Sequence, residues 1–160
     1  IIISATFNQI IPNQIIKSAK ISAINIHPSL LPYYKGATPT NWTIIHGEKQ
    51  TGITFHELTE VLDGGDIIFQ KKIIIGSLTD GQLRRRLANL AERYIGDFLN
   101  CLINNSLVPF KQDKCKGSYF PNVTTKESLR MLQTGTFSFS NIKKGLTPYP
   151  GIGFFDMAPK

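Results

Sequence analysis

At 160 residues the chain has the length of one ordinary domain and is long enough to bury a sizeable core. Hydrophobic residues make up 41% of it and charged residues 18%, a balance that excludes an intrinsically disordered chain; no apolar run approaches the ~20 residues of a membrane span. The formal net charge of +7 leaves two readings open, a solvated basic surface or a site for an anion such as a nucleic acid, a nucleotide or a polyglutamated cofactor.

The chain opens without methionine on an Ile-Ile-Ile run, and residues 1–5 read as a buried strand. This opening lacks the basic start and small-residue cleavage site of a signal peptide. A loop is expected over 8–12 and a short helix over 13–19. Residues 23–27 form a second strand, stopped by Pro28, which cannot donate to a sheet ladder. Pro32, Gly36 and Pro39 punctuate a loop, after which 40–45 reads as a helix closed by Gly47. Residues 52–59 alternate apolar and polar side chains as a strand does, 62–65 is a turn signal, and 66–75 is a further strand. Thr79 and Gln82 have the spacing of a capping box. Leu83, Leu87, Leu90, Ala91, Tyr94, Phe98 and Leu102 then recur every three or four residues, which predicts a helix to about Asn104 with one face on a core.

From Val108 the composition shifts to Gly, Pro, Lys, Ser and Thr, predicting strand-and-loop structure in a lid or linker. The chain closes on GFFDMAPK, and both ends read as cut from something longer. Strands alternating with helices predict an α/β fold with a mostly parallel sheet. The composition shift divides the chain into a first domain over 1–107 and an extension over 108–160. Cys101 and Cys115 are too few for a disulfide scaffold and read as free thiols of a reducing compartment, which makes the cytoplasm the expected location.

Asn25 and His27 lie two apart on a strand and so project from one face. They sit at the strand's carboxyl end, where open α/β sheets place their ligands. The loop Ser29-Leu30-Leu31-Pro32 follows, and later comes Asp63 before Gly64 and Gly65, an acid on a turn that lets a flat ligand approach. Amide, imidazole and carboxylate are what acyl transfer to an amine requires. Donors stabilise the oxyanion of the tetrahedral intermediate, and a carboxylate beside an imidazole relays the proton that the amine loses. Taken singly, an Asn-x-His pair serves ordinary hydrogen bonding and an Asp before two glycines serves as a turn former. The weight lies in the ordered set.

That set carries a resemblance. NIHPSLLPYYKG, followed by TGITFHELTEVLDGGDIIFQ, resembles the formyltransferase family that uses 10-formyltetrahydrofolate. This family includes methionyl-tRNA formyltransferase, glycinamide ribonucleotide formyltransferase and the enzymes that formylate nucleotide-linked amino sugars. The resemblance covers residues 1–104 and implies a Rossmann-like catalytic domain with further strands ahead of Ile1. It implies catalytic roles for Asn25, His27 and Asp63. It also implies a folate-binding loop at Ser29, Leu30, Leu31 and Pro32, and walls of a pterin pocket at Phe7, Gln9, Ile10, Ile11, Leu62, Gly64, Gly65 and Asp66. The co-substrate implied is 10-formyltetrahydrofolate, without a metal.

The acceptor implied is a primary amine, with the basic charge favouring methionyl-tRNA. A nucleotide-linked amino sugar, water in a folate deformylase, and an inactive folate-binding module are the alternatives. His56 falls where the family often has histidine and is expected to support the site, whereas His46 has no such match and reads as a surface residue. Residues 119–121 and 148–151 resemble the family's post-catalytic region, while SLRMLQTGTFSFSNIKKGL departs from it. A zinc site built from His27, His56 and Asp63 would match no common ligand spacing.

Overall fold

The computed structural model describes residues 1–7, 9–113 and 115–148. Asn8 of the expected loop, and the part of the chain after Pro148 that holds most of the 148–151 resemblance and the GFFDMAPK end, lie outside these residues. In chain order the elements are β1 (Ile2–Ala5), α1 (Asn13–Lys17), β2 (Ala23–His27), β3 (Lys35–Gly36), α2 (Pro39–Ile45), β4 (Gln50–Glu57), β5 (Ile67–Ile74), α3 (Asp80–Ile103), β6 (Tyr119–Phe120), α4 (Thr125–Thr134) and α5 (Phe139–Gly145).

The main sheet has the order β1-β2-β4-β5. The α/β class is as expected, but the sheet is mixed rather than mostly parallel. Within this sheet β1 and β2 pair in parallel, while β2–β4 and β4–β5 are antiparallel; β3 and β6 form a separate parallel pair. The link from β4 to β5 is a short turn region, and parallel pairing would need a crossover of a dozen or more residues. β1 also departs from the buried strand that its apolar run predicts. It pairs along one edge with β2, Ser4 is its buried residue, and Ile3 is 40% exposed.

Strand alternation gives the sheet two different faces. Ile24 of β2 and Ile53 and Phe55 of β4 turn toward α3 and form the first core with Leu83, Leu87 and Phe98. Their neighbours Asn25, His27, Thr54 and His56 therefore project from the other face. The periodicity of α3 holds as predicted. Leu83, Leu87 and Phe98 are buried, and Leu90, Ala91 and Leu102 pack at the rim. The capping box is present too: the Thr79 side chain accepts from the Gln82 N–H, and the Gln82 side chain accepts from the Thr79 N–H. These bonds satisfy donors that a helix start leaves open.

Beyond Val108 the expected strand-and-loop structure holds through β6 to Thr124, but α4 and α5 follow as helices where strand and loop were expected. Thr124 caps α4 by accepting from the Glu127 N–H at 3.2 Å, and Gly135 closes that helix in the left-handed conformation at φ 61°. Ser138 caps α5 by accepting from the Asn141 N–H at 3.1 Å. Polar composition concealed these helices, which pack together, α5 on α2 and α4 on α5, around a few apolar side chains. Trp42 and Ile45 of α2 join Val123, Met131, Ile142 and Leu146 in a second core. Helix α5 lies so close to α2 that a Cβ on Gly145 would sit 2.7 Å from Ile45 Cγ1. No described helix is long and apolar enough to cross a membrane.

Candidate active site

The antiparallel register of β2 against β4 sets Asn25 opposite His56 and His27 opposite Thr54. Asn25 Nδ2 lies 3.2 Å from His56 Nε2, and His56 Nδ1 lies 2.8 Å from the Glu57 carbonyl. A carbonyl only accepts, so Nδ1 of His56 carries the proton and donates to Glu57. In the neutral ring Nε2 is then bare and accepts from the Asn25 amide. Asn25, only half-buried, keeps a second N–H for another acceptor.

The same reasoning fixes the tautomer of His27. Its Nε2 lies 2.8 Å from the Tyr34 carbonyl and must donate there, so Nδ1 is the atom that gains or loses a proton. Asp63 Oδ1 lies 3.5 Å from that Nδ1 and 3.7 Å from His56 Nε2. Asp63 Oδ2 accepts from the Gly36 N–H at 2.8 Å. The pair is enclosed, with His27 4% and Asp63 6% exposed.

Burial is the largest influence on His27 and holds its imidazole below the ordinary value, against the opposing pull of Asp63. Burial pushes the Asp63 carboxyl up, but the positive charge that His56 and His27 bring when protonated, with the Gly36 N–H, more than offsets it, so the carboxyl lies below its ordinary value. At neutral pH the pair is a neutral imidazole beside a carboxylate, with room for one proton at Nδ1. Both neighbours of His27 have a left-handed backbone: Tyr34 at φ 59° and Asp63 at φ 50°. Such conformations cost non-glycine residues roughly 1–3 kcal/mol and persist where surrounding structure enforces them.

The three expected catalytic residues are thus brought together. The loop at Ser29, Leu30, Leu31 and Pro32 follows directly and is pinned from beneath. Thr54 Oγ1 donates to the Ser29 carbonyl at 2.6 Å and accepts from the Leu31 N–H at 3.2 Å, and Gln70 Nε2 donates to the Leu31 carbonyl at 2.9 Å. Ser29 is fully buried and its hydroxyl donates to the Tyr33 carbonyl at 2.8 Å, so this side chain serves the loop's shape. Gly64 is half-buried and Gly65 buried; a Cβ on Gly65 would sit 1.9 Å from the Glu57 carbonyl oxygen, which only glycine avoids. Asp66 is half-buried.

Of the other expected wall residues, Phe7 is 58%, Ile10 84% and Leu62 52% exposed, with Gln9 exposed and Ile11 half-buried. These side chains are exposed or half-buried rather than enclosed.

His56 is 1% exposed and lies against both Asn25 and Asp63, where it can support the site as expected. One histidine differs from its sequence reading. His46 is not a surface residue. It is half-buried among Tyr34, Trp42, Phe120 and Phe137, and its Nδ1 lies 3.1 Å from the Tyr34 hydroxyl. Tyr34 and Gly36 contribute backbone groups, and no side-chain pattern could have announced them. Among the described residues no group of three His, Cys, Asp or Glu is arranged to hold a metal ion.

Known proteins share this arrangement of elements. The formyl transferase family profile matches residues 1–98. Methionyl-tRNA formyltransferase of Caldanaerobacter subterraneus subsp. tengcongensis is 36% identical over 97% of this chain and 50% of its own length. That of Geobacter sulfurreducens is 38% identical over 97% of this chain and 49% of its own length. The chain therefore spans about half the length of these curated relatives.

Among solved structures, WlaRD, a sugar 3N-formyl transferase crystallised with dTDP and 5-N-formyl-THF, superposes with a TM-score of 0.72 at 27% identity, covering 89% of this chain and 52% of its own. The formyltransferase PseJ from Anoxybacillus kamchatkensis, in complex with a UDP-linked formamido sugar and tetrahydrofolate, gives a TM-score of 0.69 at 28% identity, covering 89% of this chain and 74% of its own. With the profile covering the sheet, the Asn25–His27 strand, the Asp63 turn and most of α3, the chain belongs to the formyl transferase family.

Proposed function

We propose that the protein transfers a formyl group from 10-formyltetrahydrofolate to a primary amine, with Asn25, His27 and Asp63 carrying the chemistry and methionyl-tRNA as the acceptor. The observation that carries this reading is the convergence of those side chains: His27 Nδ1 stands 3.5 Å from Asp63 Oδ1, beside the half-buried Asn25 amide. The amine nitrogen attacks the formyl carbon, a C–N bond forms, and the carbonyl electrons move onto oxygen. The free N–H of Asn25 stabilises that oxyanion. The attacking nitrogen gives up its proton to the His27–Asp63 pair, and the intermediate collapses with cleavage of the bond to the folate nitrogen, which takes up a proton.

The folate occupies the surface that runs from Phe7, Gln9, Ile10 and Ile11 past Ser29, Leu30, Leu31 and Pro32 to Leu62, Gly64, Gly65 and Asp66. Aliphatic side chains would pack the pterin faces and backbone groups would read its edge. We assign residues 1–107 to the catalytic domain, 108–160 to the extension, and the protein to the cytoplasm.

The relatives at 36% and 38% identity favour a tRNA acceptor, as does the net charge of +7. The structural relatives that act on nucleotide sugars favour the second reading, an amino-sugar acceptor. The test supplies 10-formyltetrahydrofolate with methionyl-tRNA, with a nucleotide-linked amino sugar, or with neither. N-formylmethionyl-tRNA as the product carries the proposal. A formylated sugar replaces the acceptor, and formate released without an acceptor makes the protein a deformylase. No turnover with folate still bound would leave a binding module.

A further inference from the structure

We infer that residues 110–113 and 115–120 form a strap that positions the two neighbours of His27, through Gln112 on Asp63 and Ser118 on Tyr34. The inference rests on the proposed chemistry of His27 and Asp63. The strap is tied down at both ends. Phe110 and Ile67 exchange backbone hydrogen bonds of 2.9 Å in both directions, and at the other end the Lys35 N–H donates to the Ser118 carbonyl at 2.8 Å, beside the β3–β6 pair.

Within the strap the side chains of Gln112 and Ser118 make hydrogen bonds, each on a left-handed residue or its turn, and the Phe120 ring stacks on that of Tyr34. Gln112 Nε2 donates to the Asp63 carbonyl at 2.8 Å and to the Gly65 carbonyl at 2.7 Å, bracketing the Asp63 turn. Ser118 Oγ accepts from the Tyr34 N–H at 2.9 Å. Asp63 and Tyr34 are the residues that face the two nitrogens of His27.

The orientation of Gln112 is informative. Among the described residues its Oε1 is buried without a partner. Leaving a buried acceptor unpaired costs roughly 1–3 kcal/mol, and flipping the amide would set that oxygen against two carbonyls. The side chain is therefore held for its donors. Without those donors, nothing else described bonds the Asp63 and Gly65 carbonyls by a side chain. The turn is then free to leave its left-handed backbone, and the carboxylate moves away from Nδ1. Tyr34 loosened at its N–H would let its carbonyl release Nε2–H, and the proton would shift to Nδ1, toward Asp63. Both residues act through others, so each is a positioning residue.

The test is nitrogen-15 NMR of labelled histidine in the full chain, reading the tautomer and titration midpoint of His27. Around that ring Asp63 raises the midpoint, while His56 and Lys35 lower it. Gln112→Met, of similar length without donors, should lower the midpoint in the same direction as Asp63→Asn. The double variant should add little to Asp63→Asn, because both changes remove one interaction. Ser118→Ala, which keeps its backbone bond to Lys35, should populate the Nδ1–H tautomer.

If Gln112→Met does not fold, Gln112→Asn replaces it, since the shorter amide cannot reach both carbonyls. Folded Gln112 and Ser118 variants with the wild-type midpoint and tautomer overturn the strap, as does full additivity of Gln112→Met with Asp63→Asn. The readout needs no acceptor or folate. A wild-type protein that transfers no formyl group but shows these shifts sinks only the proposed function; normal transfer without the shifts sinks only the strap.

Discussion

The two cores of this molecule have different chemistry and stand in different relation to the site. The first, between the sheet and α3, is built from aliphatic and phenyl side chains such as Ile24, Ile53, Phe55, Leu83 and Leu87. It backs the strands that carry Asn25, His27 and His56. The second, where α2 meets α4 and α5, is crossed by polar contacts. His46 sits among its aromatic rings, Tyr34 donates its hydroxyl to Glu48 at 2.6 Å, and Asn41 Nδ2 donates to the Gly145 carbonyl at 2.6 Å. Tyr34 stacks on Phe120 at this core's edge, at 5.3 Å between centroids, while its carbonyl holds His27. One core therefore supports the reactive side chains, and the other supports the backbone groups that orient them. A site assembled in this way can lose geometry without losing its strands.

The largest expected effects come from the cores themselves. Leu87→Ala and Ile142→Ala should each cost about 2–5 kcal/mol, the range for emptying a close-packed site. They differ in where the cost spreads. Hydrogen exchange should accelerate across the sheet for Leu87→Ala, but chiefly over α2, α4 and α5 for Ile142→Ala. Identical exchange maps for the two variants would merge the cores into one cooperative unit and dissolve the distinction.

Next in size are the catalytic substitutions. His27→Ala in an active protein should lower turnover by roughly a hundredfold or more, with little change in folate affinity. A single-turnover rate near wild type would remove His27 from the chemistry. Asp63→Asn should keep the turn, since asparagine also tolerates a left-handed backbone, yet fail in catalysis. Full activity in a folded Asp63→Asn protein would reduce Asp63 to a turn former.

A smaller effect separates the cores by pH. His27 beside the first core and His46 in the second are both held below the ordinary imidazole value of 6.5, burial being the leading cause for each. The unfolded chain then binds protons before the folded chain does. Stability should fall as the pH drops through 6.5 and level off only once the folded imidazoles titrate. Asp63, held low, adds a loss in the same direction near its ordinary value of 3.8 and below. His46→Phe keeps a ring in the aromatic cluster without a titrating group, so its melting temperature should fall less between about pH 7.5 and pH 5.5. An unchanged fall would mean that His46 contributes nothing to the acid sensitivity.

The smallest effect is a control on the phase of α3. Arg85 is exposed on the helix face opposite the core, and Arg85→Ala should stay within about 0.5 kcal/mol of wild type. A loss equal to that of Leu87→Ala would rotate the helix.

Local rules made most of the first half readable. A period of two placed Asn25 and His27 on one face, a period near 3.6 placed Leu83, Leu87 and Phe98 on another, and Thr79 with Gln82 announced the start of α3. Each rule acts within a few residues, so the sequence alone could state it. Thr124 with Glu127, and Gly135 after them, were signals of the same kind for α4, masked by the polar composition around them.

The sheet's mixed direction, the burial of His46 and the proton positions on His27 and His56 lay beyond local pattern. They depend on backbone groups brought in from far along the chain, such as the Ser118 hydroxyl that meets Tyr34 from 84 residues away. A hydrogen bond to a carbonyl leaves no trace in residue type, because every residue carries one. For that reason the candidate side chains Asn25, His27 and Asp63 could be named from the sequence, whereas their tautomers, separation and charge belong to the tertiary structure.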